Sequence, residues 1–328
     1  MVTAIKMVSL ISLLSTAVLS QVVLSKSVTL PKLTSSDKYF EQSDPNIPVN
    51  QIDDSKNFGL KSEYTWSDVT SQLDDSHKLF YIQRHSEGWH QIAKSKLGIS
   101  DLDWDCYWQE QDGKDGIVWA DAELTPNGVQ QSKDLSNQIQ NTNGLPWPQK
   151  WISSPLRRTL QTWNLTWLNL KHDTPLIIEF ARETYGIQTE SQRHPKSYIQ
   201  KNFPIFEFES GFTENDELWS SKYREPGSHR KYRAAQLINQ IFDDFKDQKI
   251  ISLVSHSGLI GSILDVVGHR SIPIENGKLL PILIHQKPHK TEDYDVSKPS
   301  KTFKDVCPNP PSTISGVSSY TTPVYTNN

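Results

Sequence analysis

Apolar residues along this chain come in short runs separated by longer amphipathic stretches. The runs at 79–82, 151–153, 176–178, 250–254 and 279–284 are too short for buried helices, and each predicts a strand. Between them lie stretches that predict helices over 124–139, 154–170, 232–245 and 259–267. In 232–245, Ala235, Ile238, Ile241, Phe242 and Phe245 recur at helical spacing and mark one apolar face. Ser154 and Pro155 read as the N-cap and first turn of the helix that follows them. Residues 26–75 are polar, with little periodicity, and read as an arm carrying a short helix near 66–73. The stretch 186–227 is long, polar and irregular, which suggests an insertion over a site. From Cys307 the chain is rich in Pro, Ser and Thr and reads as a loosely ordered tail.

Strands alternating with helices predict a three-layer α/β/α sandwich with a mostly parallel central sheet. Ligands bind such sheets at the carboxyl ends of the strands. Three strand ends carry reactive residues: Arg84-His85, Ser154 with Arg157-Arg158, and His256.

Composition narrows the partners. The formal net charge is −4 over 328 residues and offers no basic surplus for a nucleic-acid backbone. A local basic pocket for one small phosphorylated ligand is still compatible with that balance. Lys6 followed by the apolar run 7–14 and then Ala17, Val18 and Leu19 reads as a secretory signal peptide, with small residues for cleavage at Ser20 and Ser25. The run is interrupted by Ser, Thr and Gln, so it is weak as a membrane span. A retained signal anchor and a helix of the fold are the alternatives. The expected destinations are the exterior, a cell wall or a vacuole, or the cytoplasm if the run is not a signal. In an oxidising compartment Cys106 and Cys307, the chain's two cysteines, would pair; otherwise both would be free and buried. Asn164-Leu165-Thr166 is a glycosylation sequon, but it falls in an expected helix.

The reactive residues suit phosphoryl chemistry. Arginine binds phosphate oxygens through a planar, permanently charged fork. A neutral imidazole nitrogen can take up the phosphoryl group, and an acid must protonate the leaving oxygen. No His, Cys, Asp or Glu cluster stands at a recognisable metal-ligand spacing. Asp101, Asp103 and Asp105 lack the Gly and terminal Glu of a calcium loop. No metal and no cofactor is therefore expected.

The segment Arg84-His85-Ser86-Glu87-Gly88-Trp89-His90-Gln91 follows a predicted strand and resembles the RHG signature of the histidine phosphatase (phosphoglycerate mutase-like) superfamily. In its extended form it resembles the fungal and plant phosphomutase-like branch. Residues 153–162, the pair Arg182-Glu183, and 254–258 resemble the later motifs of that family, and 119–128 resembles its Asp-x-x-Leu-Thr-x-x-Gly stretch. All stand in family order across 79–285. The resemblance implies that His85 is the nucleophile, that Arg84, Arg158 and His256 hold phosphate, and that Glu183 donates the proton. Glu87 and Glu123 are rival acids, and Arg157 is the weaker phosphate ligand. His90 lines the pocket or stands behind it. Trp104, Trp108 and Trp119 read as core or loop anchors rather than substrate platforms. Ser86 departs from the family's Gly and Gln91 from the branch's Asn. After Glu183, Gln188, Glu190, Ser191 and Arg193 replace a His, Cys, Asp and Arg cluster, which puts substrate identity in doubt.

The expected organisation is a signal at 1–25, an arm at 26–75, a catalytic domain at 76–306 and a tail at 307–328. The leading functional expectation is a metal-independent phosphomonoesterase with broad, phosphate-scavenging specificity. A phosphoglycerate-type mutase uses the same residues. A catalytically inactive phosphate-binding protein is the expectation from another class.

Overall fold

The computed structural model describes residues 27–296 and residue 311. The expected signal at 1–25 and Cys307 lie outside the described residues. In chain order the elements are β1 (Ser27–Ser35), α1 (Trp66–Thr70), β2 (His77–Arg84), α2 (Trp89–Lys96), α3 (Asp101–Cys106), β3 (Gly113–Lys114) and β4 (Ile117–Val118). Then come α4 (Pro126–Asn141), β5 (Lys150–Ser153), α5 (Arg157–Trp167), β6 (Leu176–Ile177), α6 (Lys196–Asn202), β7 (Glu207–Phe208), α7 (Gly227–Asp244), β8 (Ile250–Ser255), α8 (Ser257–Val266) and β9 (Leu279–Asp295).

Seven strands form one sheet in the order β1-β9-β2-β8-β5-β6-β7. Strands β2, β8, β5, β6 and β7 run parallel, and β9 is antiparallel to both β2 and β1. The sheet is mixed but mostly parallel, as expected. Its side chains alternate in the way a buried strand requires. Phe80 and Ile82 pack with α7 and α8 on one face, while Leu79 and Tyr81 pack with α4 and α5 on the other. Two cores back to back make the three layers. A small third cluster holds α2 against Ile117 and Trp119, with Trp104 and Trp108 packed on it, so these tryptophans anchor a loop region.

The structure differs from the sequence reading in four places. The segment read as an irregular arm begins with a nine-residue strand, β1, which pairs with β9. Its register shifts between Pro31 and Lys32, where proline has no N–H to offer the ladder. That bulge and the half-exposed alternation hid the strand. For the same reason β9 runs on to Asp295: its outer half meets only an edge strand, so it is polar. Ser154 is not an N-cap. Helix α5 starts later, with Leu156 as its N-cap and no side-chain cap bond, and the Ser154 hydroxyl bonds elsewhere. The acidic stretch around Asp101 is the first turn of α3, capped by the Ser100 hydroxyl, which accepts from Asp103 N at 3.1 Å. Asn164 sits inside α5 with its Oδ1 buried, a poor acceptor for a glycan in the folded chain. Cys106 is disulfide-bonded.

Leu33 carries β1 into the core at 1% exposure, whereas its neighbour Lys32 is exposed. Leu33→Ala should cost about 2–5 kcal/mol in urea unfolding followed by tryptophan fluorescence, and Lys32→Ala less than about 0.5. Equal effects would place β1 outside the cooperative core.

Candidate active site

Parallel strands β2, β8 and β5 end level with one another, Arg84 opposite Ser255 and Ser153 opposite Val254. The residues that follow these ends therefore meet. His85 and His256 lie with ring centroids 5.0 Å apart, and His85 and His90 at 5.3 Å. Arg158, on the first turn of α5, is fully buried beside them. Arg84 and Glu183 stand within each other's electrostatic reach and that of Arg158. All six residues singled out in the sequence come together.

The loop that carries His85 is braced from every side. His85 Nδ1 lies 2.8 Å from the Ser86 carbonyl oxygen, which can only accept. Nδ1 therefore carries the proton, and Nε2 keeps its lone pair. The His85 carbonyl accepts from Asn276 Nδ2 at 3.0 Å, and Asn276 and Gln91 exchange a pair of amide hydrogen bonds at 2.9 and 3.0 Å. The Ser86 hydroxyl meets Ser132 Oγ at 2.7 Å, and its backbone N–H donates to Thr162 Oγ1 at 3.0 Å. The stretch 121–128 explains itself physically. Asp121 accepts from Arg157 N at 2.8 Å and contacts His194 Nδ1 at 2.6 Å. The Thr125 hydroxyl accepts from Gly128 N at 3.0 Å, capping α4, and donates to Glu87 Oε1 at 2.6 Å. A Cβ on Gly128 would sit 2.1 Å from the Glu87 carbonyl oxygen, so only glycine lets the two backbones pass.

All three candidate acids are held by other groups. Glu87 accepts from Thr125, and Glu123 pairs with Arg157 at 3.2 Å, which also occupies that arginine. Glu183 Oε1 accepts from Thr184 N at 2.8 Å and Thr184 Oγ1 at 3.2 Å, and Oε2 from Gly258 N at 3.1 Å, at the start of α8. A Cβ on Gly258 would come 2.2 Å from Glu183 Oε1, so the glycine makes room for the carboxylate.

Four site nitrogens are buried without a hydrogen-bond partner in the protein: Arg84 Nε, Arg158 Nε, His90 Nδ1 and His256 Nδ1. Other buried side-chain atoms, several tryptophan Nε1 among them, also lack a partner; these four differ in belonging to residues clustered around the His85 ring, as a polar ligand site requires. Among the described residues no carboxylate lies within ion-pair distance of Arg84 or Arg158, unlike Arg157, Arg182, Arg193 and Arg233. Arg84 Nη1 donates to the Ile274 carbonyl at 2.8 Å, and Arg158 Nη1 to that of Glu190 at 2.8 Å. Burial, then the Arg158 charge, pushes His85, His90 and His256 well below the usual imidazole range, which keeps them neutral. Among the described residues no group of three His, Cys, Asp or Glu side chains could hold a metal ion.

Ser154, Asn276 and Thr162 are the site residues that sequence reasoning missed in these roles. His256 Nε2 meets Ser154 Oγ at 2.7 Å, and the same hydroxyl accepts from Leu156 N at 3.3 Å, just ahead of α5. Asn276 lies in a loop with no motif, so nothing in the sequence marked it.

A mostly parallel sheet with two histidines and two unpaired arginines at its carboxyl edge defines a phosphate-handling α/β protein. The chain belongs to the histidine phosphatase superfamily (branch 1), whose family model matches residues 108–282. That span begins after His85, so the family model itself does not cover that residue. The chain is 55% identical over 295 residues to "Phosphomutase-like protein 3" of Candida albicans, covering 90% of this chain and 93% of that protein. It is 33% identical to a "Probable phosphoglycerate mutase" of Arthroderma benhamiae, covering 75% and 82%. Solved structures similar to it include a putative alpha-ribazole-5'-P phosphatase from Escherichia coli, at 17% identity and TM-score 0.41, covering 66% of this chain and 96% of that one. That score is too low to argue from.

The neutral histidines have a consequence for pH. A folded pKa below the unfolded value of about 6.5 means the unfolded chain binds more protons as pH falls. Their contribution to stability is thus full above about pH 6.5 and is lost as pH drops through the lower folded values. In an NMR titration His85 and His256 should stay neutral at pH 6. Midpoints near 6.5 for these rings would contradict the burial argument.

Proposed function

We propose that this protein is a metal-independent phosphomonoesterase that works through a phosphohistidine on His85. The observation that carries the reading is the set of unpaired site nitrogens around a neutral imidazole whose Nε2 lone pair is free. The arginine forks of Arg84 and Arg158 bind the equatorial oxygens and offset their charge. His256 donates from Nδ1 if the Ser154 hydroxyl donates to its Nε2, and His90 lines the same pocket. His85 Nε2 attacks phosphorus, the bond to the ester oxygen breaks, and Glu183 gives that oxygen its proton. Water then attacks the phosphohistidine, loses a proton to Glu183, and releases phosphate with His85 restored.

A second reading is a mutase that returns the phosphoryl group to another hydroxyl of the substrate. It is favoured by the names of the relatives, one called a probable phosphoglycerate mutase. Broad scavenging outside the cytoplasm fits the apolar run after Lys6 and the disulfide at Cys106, since such bonds persist in oxidising compartments.

Phosphate release from aryl phosphates, phytate and phosphoglycerates, with chelator present, tests the reading. Release should survive the chelator, and His85→Ala should remove it by a factor of about a thousand or more. Isomerised phosphoglycerate without release would establish the mutase, and tight phosphate binding without turnover an inactive binder. Activity retained in His85→Ala would overturn the nucleophile assignment.

A further inference from the structure

Helix α7 packs its apolar face on the sheet, yet at 0% exposure it also carries an arginine, Arg233. All five N–H donors of a guanidinium must be satisfied at such a position. Here Nε and Nη2 grip the Glu225 carboxylate at 2.9 and 2.6 Å. The other donors go to three carbonyls of a single segment: Nη1 to Phe180 at 2.8 Å and Arg182 at 2.5 Å, and Nη2 to Glu183 at 3.1 Å. Burial alone would raise the Glu225 carboxyl, but Arg233 and His229 outweigh it and hold it at about 2, so the pair stays ionised. Three residues earlier on the helix stands Arg230, on the same side. Its Nε donates to Ser262 Oγ at 2.9 Å, and its Nη1 to Thr184 Oγ1 at 2.6 Å. That hydroxyl in turn donates to Glu183 Oε1 at 3.2 Å.

We propose that Arg230 and Arg233 are positioning residues for the proton donor. Arg233 fixes the backbone on which Glu183 is mounted. Arg230 fixes the Thr184 hydroxyl, whose single proton is thereby directed at the Glu183 carboxylate. A hydroxyl that accepts from a guanidinium has only its own O–H left to give, so the arginine sets the direction of the bond. The inference rests on the reading of Glu183 as the donor.

Leaving-group dependence separates positioning from a merely structural role. An aryl ester such as 4-nitrophenyl phosphate leaves with little need of an acid, whereas an alkyl ester such as glycerol 2-phosphate needs one. Glu183→Gln should lower kcat on the alkyl ester about a hundredfold more than on the aryl ester. Arg230→Met and Thr184→Val should each show the same split, at about tenfold. The double variant should add nothing further, because one chain of bonds is cut in both. Arg233→Lys keeps a charge beside Glu225 but cannot reach three carbonyls, and should show the split as well. If that variant does not fold, the Arg230 and Thr184 variants still decide. Equal losses on the two esters, or none, would overturn the positioning role. If Glu183→Gln shows no split, the donor reading falls and takes this one with it. If Glu183→Gln shows the split and Arg230→Met does not, only the positioning claim falls.

Discussion

A guanidinium buried completely, with no carboxylate at ion-pair distance among the described residues, is the constraint on which the rest of this structure depends. Arg158 sits in that position. Removing a charge from water is costly, and the cost is tolerable only where other groups answer it. One carbonyl, that of Glu190, accepts from Arg158, and Glu190, Asp121 and Glu183 act on it from further away. The field it leaves in the pocket then governs its neighbours. Burial acts first and the Arg158 charge second to hold three histidines neutral, and the same positive field favours an anion over a cation in that space.

The other buried arginines show what would happen without that restraint. Arg182 is tied to Asp216 at 2.6 Å and Glu179 at 2.7 Å, and Arg193 to Glu179 at 2.8 Å and to the carbonyls of Thr213, Glu214 and Asn215. These groups spend their charge on the chain itself. In doing so they hold down the polar residues 213–216 between α6 and α7, next to the apolar anchors Phe203, Phe206 and Phe212. The fold thus divides its arginines. Those at the strand ends keep charge for a ligand, and those beneath the insertion give it to carboxylates.

How much of this was legible follows the same division. Arg84, His85, Arg158, Glu183 and His256 were readable because they stand at the ends of apolar runs or in motifs, and a strand end fixes where the next residue points. The brace around them was not. Asn276 and Ser132 belong to no pattern, and their roles come from packing between segments far apart in sequence. Strand β1 was missed because an edge strand carries only half of the apolar signal and a proline interrupts it. The helix at Arg157 was expected too early because Ser154-Pro155 has the local signature of a cap. The Ser154 hydroxyl does accept from a backbone N–H, that of Leu156 at 3.3 Å, but this lies ahead of the helix, and its shorter bond is to His256.

The departures from the family pattern at 86 and 91 can be judged in these terms. Ser86 adds a hydroxyl where the family has none, yet that hydroxyl is satisfied by Ser132 of α4 and stays buried. Gln91 accepts from Gly88 N at 3.0 Å and grips Asn276, so the longer amide still steadies the loop that carries His85. Both changes are absorbed by the scaffold behind the nucleophile. The insertion meets the site from another side: the Glu190 carbonyl accepts from Arg158 Nη1 at 2.8 Å, and Arg224 acts through its charge on Glu190 and Glu183.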